Sequence, residues 1–248
     1  MLEESTYYLT VVGLGPGDPE LVTMKGIRAI QAADLIFTPR TRPDEASRAL
    51  RIAQPWIDSA RQQVVPLTIP MERDPALATA AYQETASEIL ERLQAHPHTP
   101  VRAVYLLLGD PLLYGTFTNL RNALLHAEPG LAVTIIPGVT SFAATAAQVA
   151  LPLSSGNDRV AILPAPEDAH ELRALFTTFN TLILMKVGRH LPAIIATLSD
   201  LNLLDQAVYA ERIGMPEERV VRDLASLRDY EAPYLSLLIV RRTRESVS

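Results

Sequence analysis

The run Val101–Leu108 constrains this chain more than any other stretch: every residue in it except Arg102 is aliphatic or aromatic. A strand with one wet face alternates apolar and polar residues. This one does not, so both of its faces must be covered, as in a parallel or mixed sheet flanked by helices. The segments around it agree. Tyr8–Gly13, Asp34–Thr38 and Val64–Leu67 read as strands. Glu20–Ala32 reads as a helix with Leu21, Met24, Ile27 and Ile30 on one face, and Pro75–Gln94 as a helix opened by Asp74 and a first-turn proline. This strand–helix alternation predicts an α/β fold.

A turn cluster, His126–Gly130, interrupts that rhythm. Beyond it, strands are expected at Ala132–Ile136, Arg159–Leu163, Thr181–Lys186, Gln206–Glu211 and Tyr234–Arg241. Helices are expected at Ser141–Val149, Ala169–Phe179 and Leu191–Leu201. The reading is two α/β domains, residues 1–128 and 129–248, with the polar tail Thr243–Ser248 frayed.

Composition narrows the functional classes. With 22 basic against 28 acidic residues and a net charge of −6, the surface repels phosphate backbones, so no nucleic-acid partner is expected. The chain has no cysteine, which removes disulfides, thiolate metal sites and cysteine nucleophiles and fits a cytoplasmic protein. Met1–Thr10 carries Glu3 and Glu4 and lacks the basic start of a signal peptide. The apolar runs are strand-length, so no membrane span is expected. The five histidines show no metal-ligand spacing, and no protein-held metal is expected. Trp56 reads as a packed aromatic.

Chemistry is expected at the turns that follow strands. Gly13-Leu14-Gly15-Pro16-Gly17-Asp18-Pro19 lets the backbone approach a ligand closely. It is not a dinucleotide loop: the spacing is G-x-G-x-G, Pro16 lacks an N–H, and Asp18 puts negative charge where a pyrophosphate would sit. Asp34, at a ribose-binding distance along the chain, stands at the wrong end of its strand. Asp18 alternatively caps a plain turn. The turn Leu108-Gly109-Asp110 places a carboxylate at the carboxyl end of the most hydrophobic strand, where α/β sheets hold ligands; Thr116 beyond it is a ligand contact or a helix cap. In Ile136–Ser141, Thr140 and Ser141 either cap a helix or offer hydroxyls. Met185-Lys186, Arg189 and Arg212 bring basic groups to later strand ends.

Taken in order, these motifs resemble the tetrapyrrole (corrin/porphyrin) methylase family. The resemblance rests on Gly13–Gly26, on Gly109–Phe117 and on Ile136–Phe142, and runs from about Tyr8 to Val240. Leu184–Arg189, Val208–Arg212, Met215-Pro216, Val220–Leu224 and Pro233–Ile239 are similar to the branch that methylates C20 of precorrin-2 or cobalt-factor II in cobalamin biosynthesis. The resemblance implies a two-domain fold with S-adenosylmethionine (SAM) in the cleft between the domains, S-adenosylhomocysteine as product, and a cytoplasmic homodimer. It places SAM contacts on Pro16, Leu108, Gly109, Asp110, Thr116, Thr140, Ser141, Met185, Ala210, Arg212, Pro233 and Tyr234. Gly214 replaces the family's usual Ser or Thr, which leaves that turn's contacts the least defined.

A sulfonium methyl needs an in-line approach by a nucleophilic carbon, so the protein's work is positioning and water exclusion. Asp110 is expected to orient SAM, with general-base action at C20 a second role. The substrate's carboxylate arms call for cations, arginine above all. Arg40 and Arg42 lead, with Lys25, Lys186 and Arg189 behind them, and Gly15 completes the expected tetrapyrrole contacts. Competing readings are methylation at C11, at C17 or of uroporphyrinogen III, a nucleotide-linked oxidoreductase, and a non-catalytic binding module.

Overall fold

The computed structural model describes residues 7–44, 46–69 and 74–242. The acidic N-terminal segment through Thr6 and the tail expected to fray lie outside the described residues. The chain divides into two compact units, residues 1–140 and 141–248.

In the first unit the elements run β1 (Tyr7–Gly13), α1 (Met24–Ala32), β2 (Leu35–Arg40), α2 (Arg48–Ala53), β3 (Gln63–Thr68), α3 (Pro75–Gln94), β4 (Val101–Leu107), α4 (Phe117–Ala127) and β5 (Ala132–Ile136). The strands form one sheet in the order β3-β2-β4-β1-β5, and every pairing is parallel. The continuous apolar run is explained by its two buried faces. Val101, Ala103, Tyr105 and Leu107 pack with Ile89, Leu93 of α3 and Phe117, Leu120, Leu124 of α4. Val104 and Leu106 pack the other way, with Ile30 of α1 and Ala49, Ile52, Ala53 of α2; Trp56 joins this second cluster. Asp74 caps α3 as its sequence predicts, accepting from the N–H groups of Ala76 (2.8 Å) and Leu77 (3.4 Å).

Two expectations need correction. The first helix is shorter than the sequence suggests: a 3-10 turn over Pro19–Leu21 precedes it, and Thr23 caps α1, accepting from Gly26 N–H at 3.1 Å. Met24 is therefore the first residue of α1 rather than part of its buried face, and it is 63% exposed. The domain boundary lies at 140/141, not at 128/129. The turn at 126–130 is a connection within the unit, because β5 pairs in register with β1 from Tyr8↔Ala132 to Val12↔Ile136.

The second unit runs α5 (Ser141–Gln148), β6 (Val160–Pro164), α6 (Ala169–Thr178), β7 (Thr181–Met185), α7 (Leu191–Asp200), β8 (Ala207–Glu211), β9 (Arg219–Val221) and β10 (Ser236–Arg241). The sheet order is β6-β7-β10-β8-β9, and β10 runs antiparallel to both of its neighbours. One face packs Leu238 and Val240 with Leu172, Phe176 of α6 and Leu191, Ile194, Ile195 of α7. The other packs Leu237, Ile239 and Ala210 with Ala146 and Phe142 of α5. Among the described residues no helix is long and apolar enough to cross a membrane.

Candidate functional site

In a parallel sheet all carboxyl ends lie on one edge, so the turns after β4, β1 and β5, three adjacent strands, are neighbours there. Gly15 and Gly109 form a two-way backbone bridge: Gly109 N–H donates to Gly15 O at 2.7 Å and Gly15 N–H to Gly109 O at 3.3 Å. Gly109 has φ +74°, open to glycine at little cost. The third turn presses against this bridge. A Cβ on Gly138 would lie 2.1 Å from Gly109 O and 2.8 Å from Gly13 C, so only glycine fits.

Asp110 ties the second turn to the third. Its Oδ1 accepts from Leu112 N–H at 2.9 Å and its Oδ2 from Gly138 N–H at 3.1 Å. Each oxygen keeps a further lone pair. The carboxylate is therefore a fastening for two loops, with acceptor capacity left for a ligand.

Other expected residues of this unit fall into three groups. Gly15 and Pro16 are buried; Leu108, Gly109, Asp110 and Thr140 are half-buried on the same edge. Thr116 stands at the start of α4 but makes no side-chain cap bond. The Arg40 guanidinium is already engaged, with Nε donating to Thr68 Oγ1 (3.0 Å) and Nη1 to Pro43 O (2.7 Å), while Arg42 and Lys25 are exposed. Asp18 Oδ1 accepts from Glu20 N–H at 2.8 Å and so occupies the donor that a phosphate would want. Asp34 sits at the opposite, amino edge, where its Oδ2 accepts from Arg102 N–H at 2.9 Å.

In the second unit the expected residues gather where β7 and β8 end and β10 begins. Lys186 N–H donates to Ser236 O (2.8 Å) and Arg212 N–H to Leu235 O (2.9 Å). Both residues are left-handed, at φ +57° and +51°, a conformation uncommon outside glycine and concentrated at functional turns. Lys186 Nζ lies 5.4 Å from the centroid of the Tyr234 ring, which is 51% exposed. Met185 and Pro233 are half-buried beside them in the chain, and Ala210 is fully buried. Ser141, the first residue of α5, is half-buried. Arg189 forms an exposed ion pair with Glu167 at 3.2 Å. The Gly214 turn is closed by Glu218, whose Oε2 accepts from Gly214 N–H at 2.6 Å.

Sequence reasoning missed a buried polar cluster here. Glu211, only 4% exposed, accepts from the hydroxyls of Tyr209 and Tyr230. Burial, reinforced by the bond to Glu211, pushes the Tyr209 phenol above its ordinary range. The available signal was a carboxylate inside an otherwise apolar strand, followed 19 residues later by a tyrosine. Among the described residues no group of three or more His, Asp or Glu side chains could hold a metal ion.

Residues 8–227 match the family described as Tetrapyrrole (Corrin/Porphyrin) Methylases. The chain belongs to the tetrapyrrole methylases. Among this family's members it is similar to the precorrin-2 C(20)-methyltransferase of Sinorhizobium sp., at 32% identity over 92% of this chain and 93% of that one. The cobalt-precorrin-2 C(20)-methyltransferase of Salmonella typhimurium is 28% identical over 96% of this chain and 97% of that one. A solved uroporphyrin-III C-methyltransferase from Thermus thermophilus, complexed with S-adenyl homocysteine, shares the fold with a TM-score of 0.61 and 24% identity, over 94% of this chain and 97% of that one.

Proposed function

We propose that this methylase transfers a methyl group from SAM to C20 of precorrin-2, in its metal-free or cobalt-bound form, within cobalamin biosynthesis. The observation that carries the reading is the near-full-length likeness to two C20-methylating relatives. The first unit's turns suit SAM better than a dinucleotide. Asp18 already fills the helix-turn donor, Pro16 offers none, and Asp110 adds an acceptor for an amine or hydroxyl.

When bound, SAM supplies an electrophilic methyl on a sulfonium centre. The chain's own work is to bind, align and exclude water. The Gly15–Gly109 bridge and the Asp110 fastening hold two turns rigid, so Leu108, Gly109, Thr116 and Pro16 present fixed surfaces to the cofactor. Thr140 and Ser141 follow the third turn and contribute hydroxyls. In the second unit Met185, Arg212, Pro233 and Tyr234 contact the cofactor, while Ala210, expected among them, packs in the core behind. Asp110 orients SAM rather than moving the C20 proton, because two backbone donors already hold its carboxylate.

Substrate carboxylate arms meet Arg40, Arg42, Lys25, Lys186 and Arg189, with Gly15 contributing backbone. Arg40 keeps N–H donors beyond the two it uses, so it can bind an arm while staying anchored. The enzyme works as a homodimer in the cytoplasm; molar mass from light scattering tests the dimer.

Incubating the protein with methyl-labelled SAM and either precorrin-2 or its cobalt complex tests the reaction. Label at C20 of one of the two is expected, and the preferred substrate identifies the route. Label only at another position, such as C11 or C17, would remove the C20 assignment and keep the family.

A further inference from the structure

A buried carboxylate is costly unless its lone pairs are filled, and among the described residues Glu211 has no ion-pair partner. It sits instead under two phenols. The Tyr209 hydroxyl donates to Oε2, and the Tyr230 hydroxyl lies 2.9 Å from Oε1 and 3.0 Å from Oε2. These two bonds differ in what they connect. Tyr209 is on the same strand as Glu211, two residues away, so its bond ties β8 to itself. Tyr230 belongs to the irregular segment between the 3-10 turn Leu224–Leu227 and β10, so its bond ties that segment to the sheet.

The far end of the segment is held separately. Ser236 stands opposite Glu211 in the β8–β10 register. Its hydroxyl donates to Pro233 O at 2.6 Å and accepts from Gly188 N–H at 3.1 Å. The five residues 231–235 are thus pinned at Tyr230 and at Ser236. They carry Pro233 and Tyr234, and the Tyr234 ring lies beneath Lys186 Nζ. The Arg219 guanidinium, 4.7 Å from the centroid of the Tyr230 ring, steadies the anchor from β9.

We infer that Glu211 is a positioning residue: through the Tyr230 hydroxyl it sets the placement of the Pro233–Tyr234 segment and so the affinity for the adenosyl cofactor, without touching it. This rests on the proposed SAM reading. The cost of burying the carboxylate is offset by two charge-assisted bonds, of which only one bears on the ligand-carrying segment.

Tyr230→Phe and Tyr209→Phe each delete one phenol bond to the same carboxylate, and are milder than Glu211→Gln, which risks misfolding. S-adenosylhomocysteine affinity is measured by calorimetry, and trypsin cleavage after the exposed Arg228 reports segment mobility without any ligand. Tyr230→Phe is expected to weaken binding about tenfold and to speed that cleavage, with the KM for the tetrapyrrole unchanged. Tyr209→Phe is expected to keep affinity within about twofold, at a comparable loss of thermal stability. Equal effects of the two variants, or none from Tyr230→Phe on either readout, would overturn the inference while sparing the SAM reading. A wild-type protein that does not bind S-adenosylhomocysteine would take both down.

Discussion

Asp110 fastens two turns with one side chain and, in the proposed function, also holds the methyl donor. Its two oxygens each accept a backbone N–H, from the turn after β4 and from the turn after β5. Asp110→Ala deletes both bonds, and a loss of about 2 kcal/mol in folding stability is expected from urea unfolding, along with weaker SAM binding. Asp110→Asn is the sharper variant. One amide end must face a backbone N–H, so it too should lose stability, and near-normal stability would contradict the fastening. Tyr105 is the opposite case: a fully buried phenol with no hydrogen-bond partner among the described residues. Burial raises its pKa above the ordinary value, and the Thr116 side chain lies near enough to oppose the rise slightly without completing a bond. Below about pH 10 the folded and unfolded forms are both protonated, and the phenol adds no pH dependence. Above about pH 10 the unfolded chain loses a proton that the folded one keeps, so stability falls. Tyr105→Phe should be neutral or slightly stabilising at pH 7 and should flatten the decline between about pH 10 and 11, as read by chemical denaturation at both ends.

At the scale of elements, glycine at position 138 makes three turns meet. Gly138→Ala drives a methyl group into Gly109 O, and the backbone must shift. A loss of about 1–3 kcal/mol is expected in thermal unfolding, larger than for alanine at the open Gly156 position, where no atom lies within 4 Å of the added methyl and only the left-handed φ is strained. Elements with strong periodicity or caps were legible in the sequence. Pro75–Gln94 matches its expected bounds, as does β5 at Ala132–Ile136. The failures have physical causes. α2 has six residues and β9 three, too few to show a period. α4 opens after Thr116, which the sequence offered as a helix cap, but its side chain makes no cap bond and the sequence set no bounds for the helix beyond it. The misplaced boundary came from reading a Pro-Gly turn as a domain edge, when parallel strand order, which no local signal carries, returned β5 to the first sheet.

For the whole molecule, motif order along the chain identified the family, while the geometry behind the motifs was hidden. That Gly15 bonds Gly109, that Asp110 reaches Gly138, and that Tyr230 reaches Glu211 are contacts between residues separated along the sequence, which no local signal carries. Cation placement is where the sequence reading was least complete. Arg40 is anchored on Thr68 and Pro43 rather than free to move. Arg40→Ala should therefore raise the tetrapyrrole's KM about tenfold with little change in the KM for SAM; equal rises would point to loop collapse instead of a lost carboxylate contact. What most needs checking is that the strand-end turns of the first sheet seat the methyl donor. The crystal structure of the protein with S-adenosylhomocysteine measures this. Density for the nucleoside against Gly109-Asp110 and Thr140 is expected; density elsewhere, with those turns bare, would contradict it.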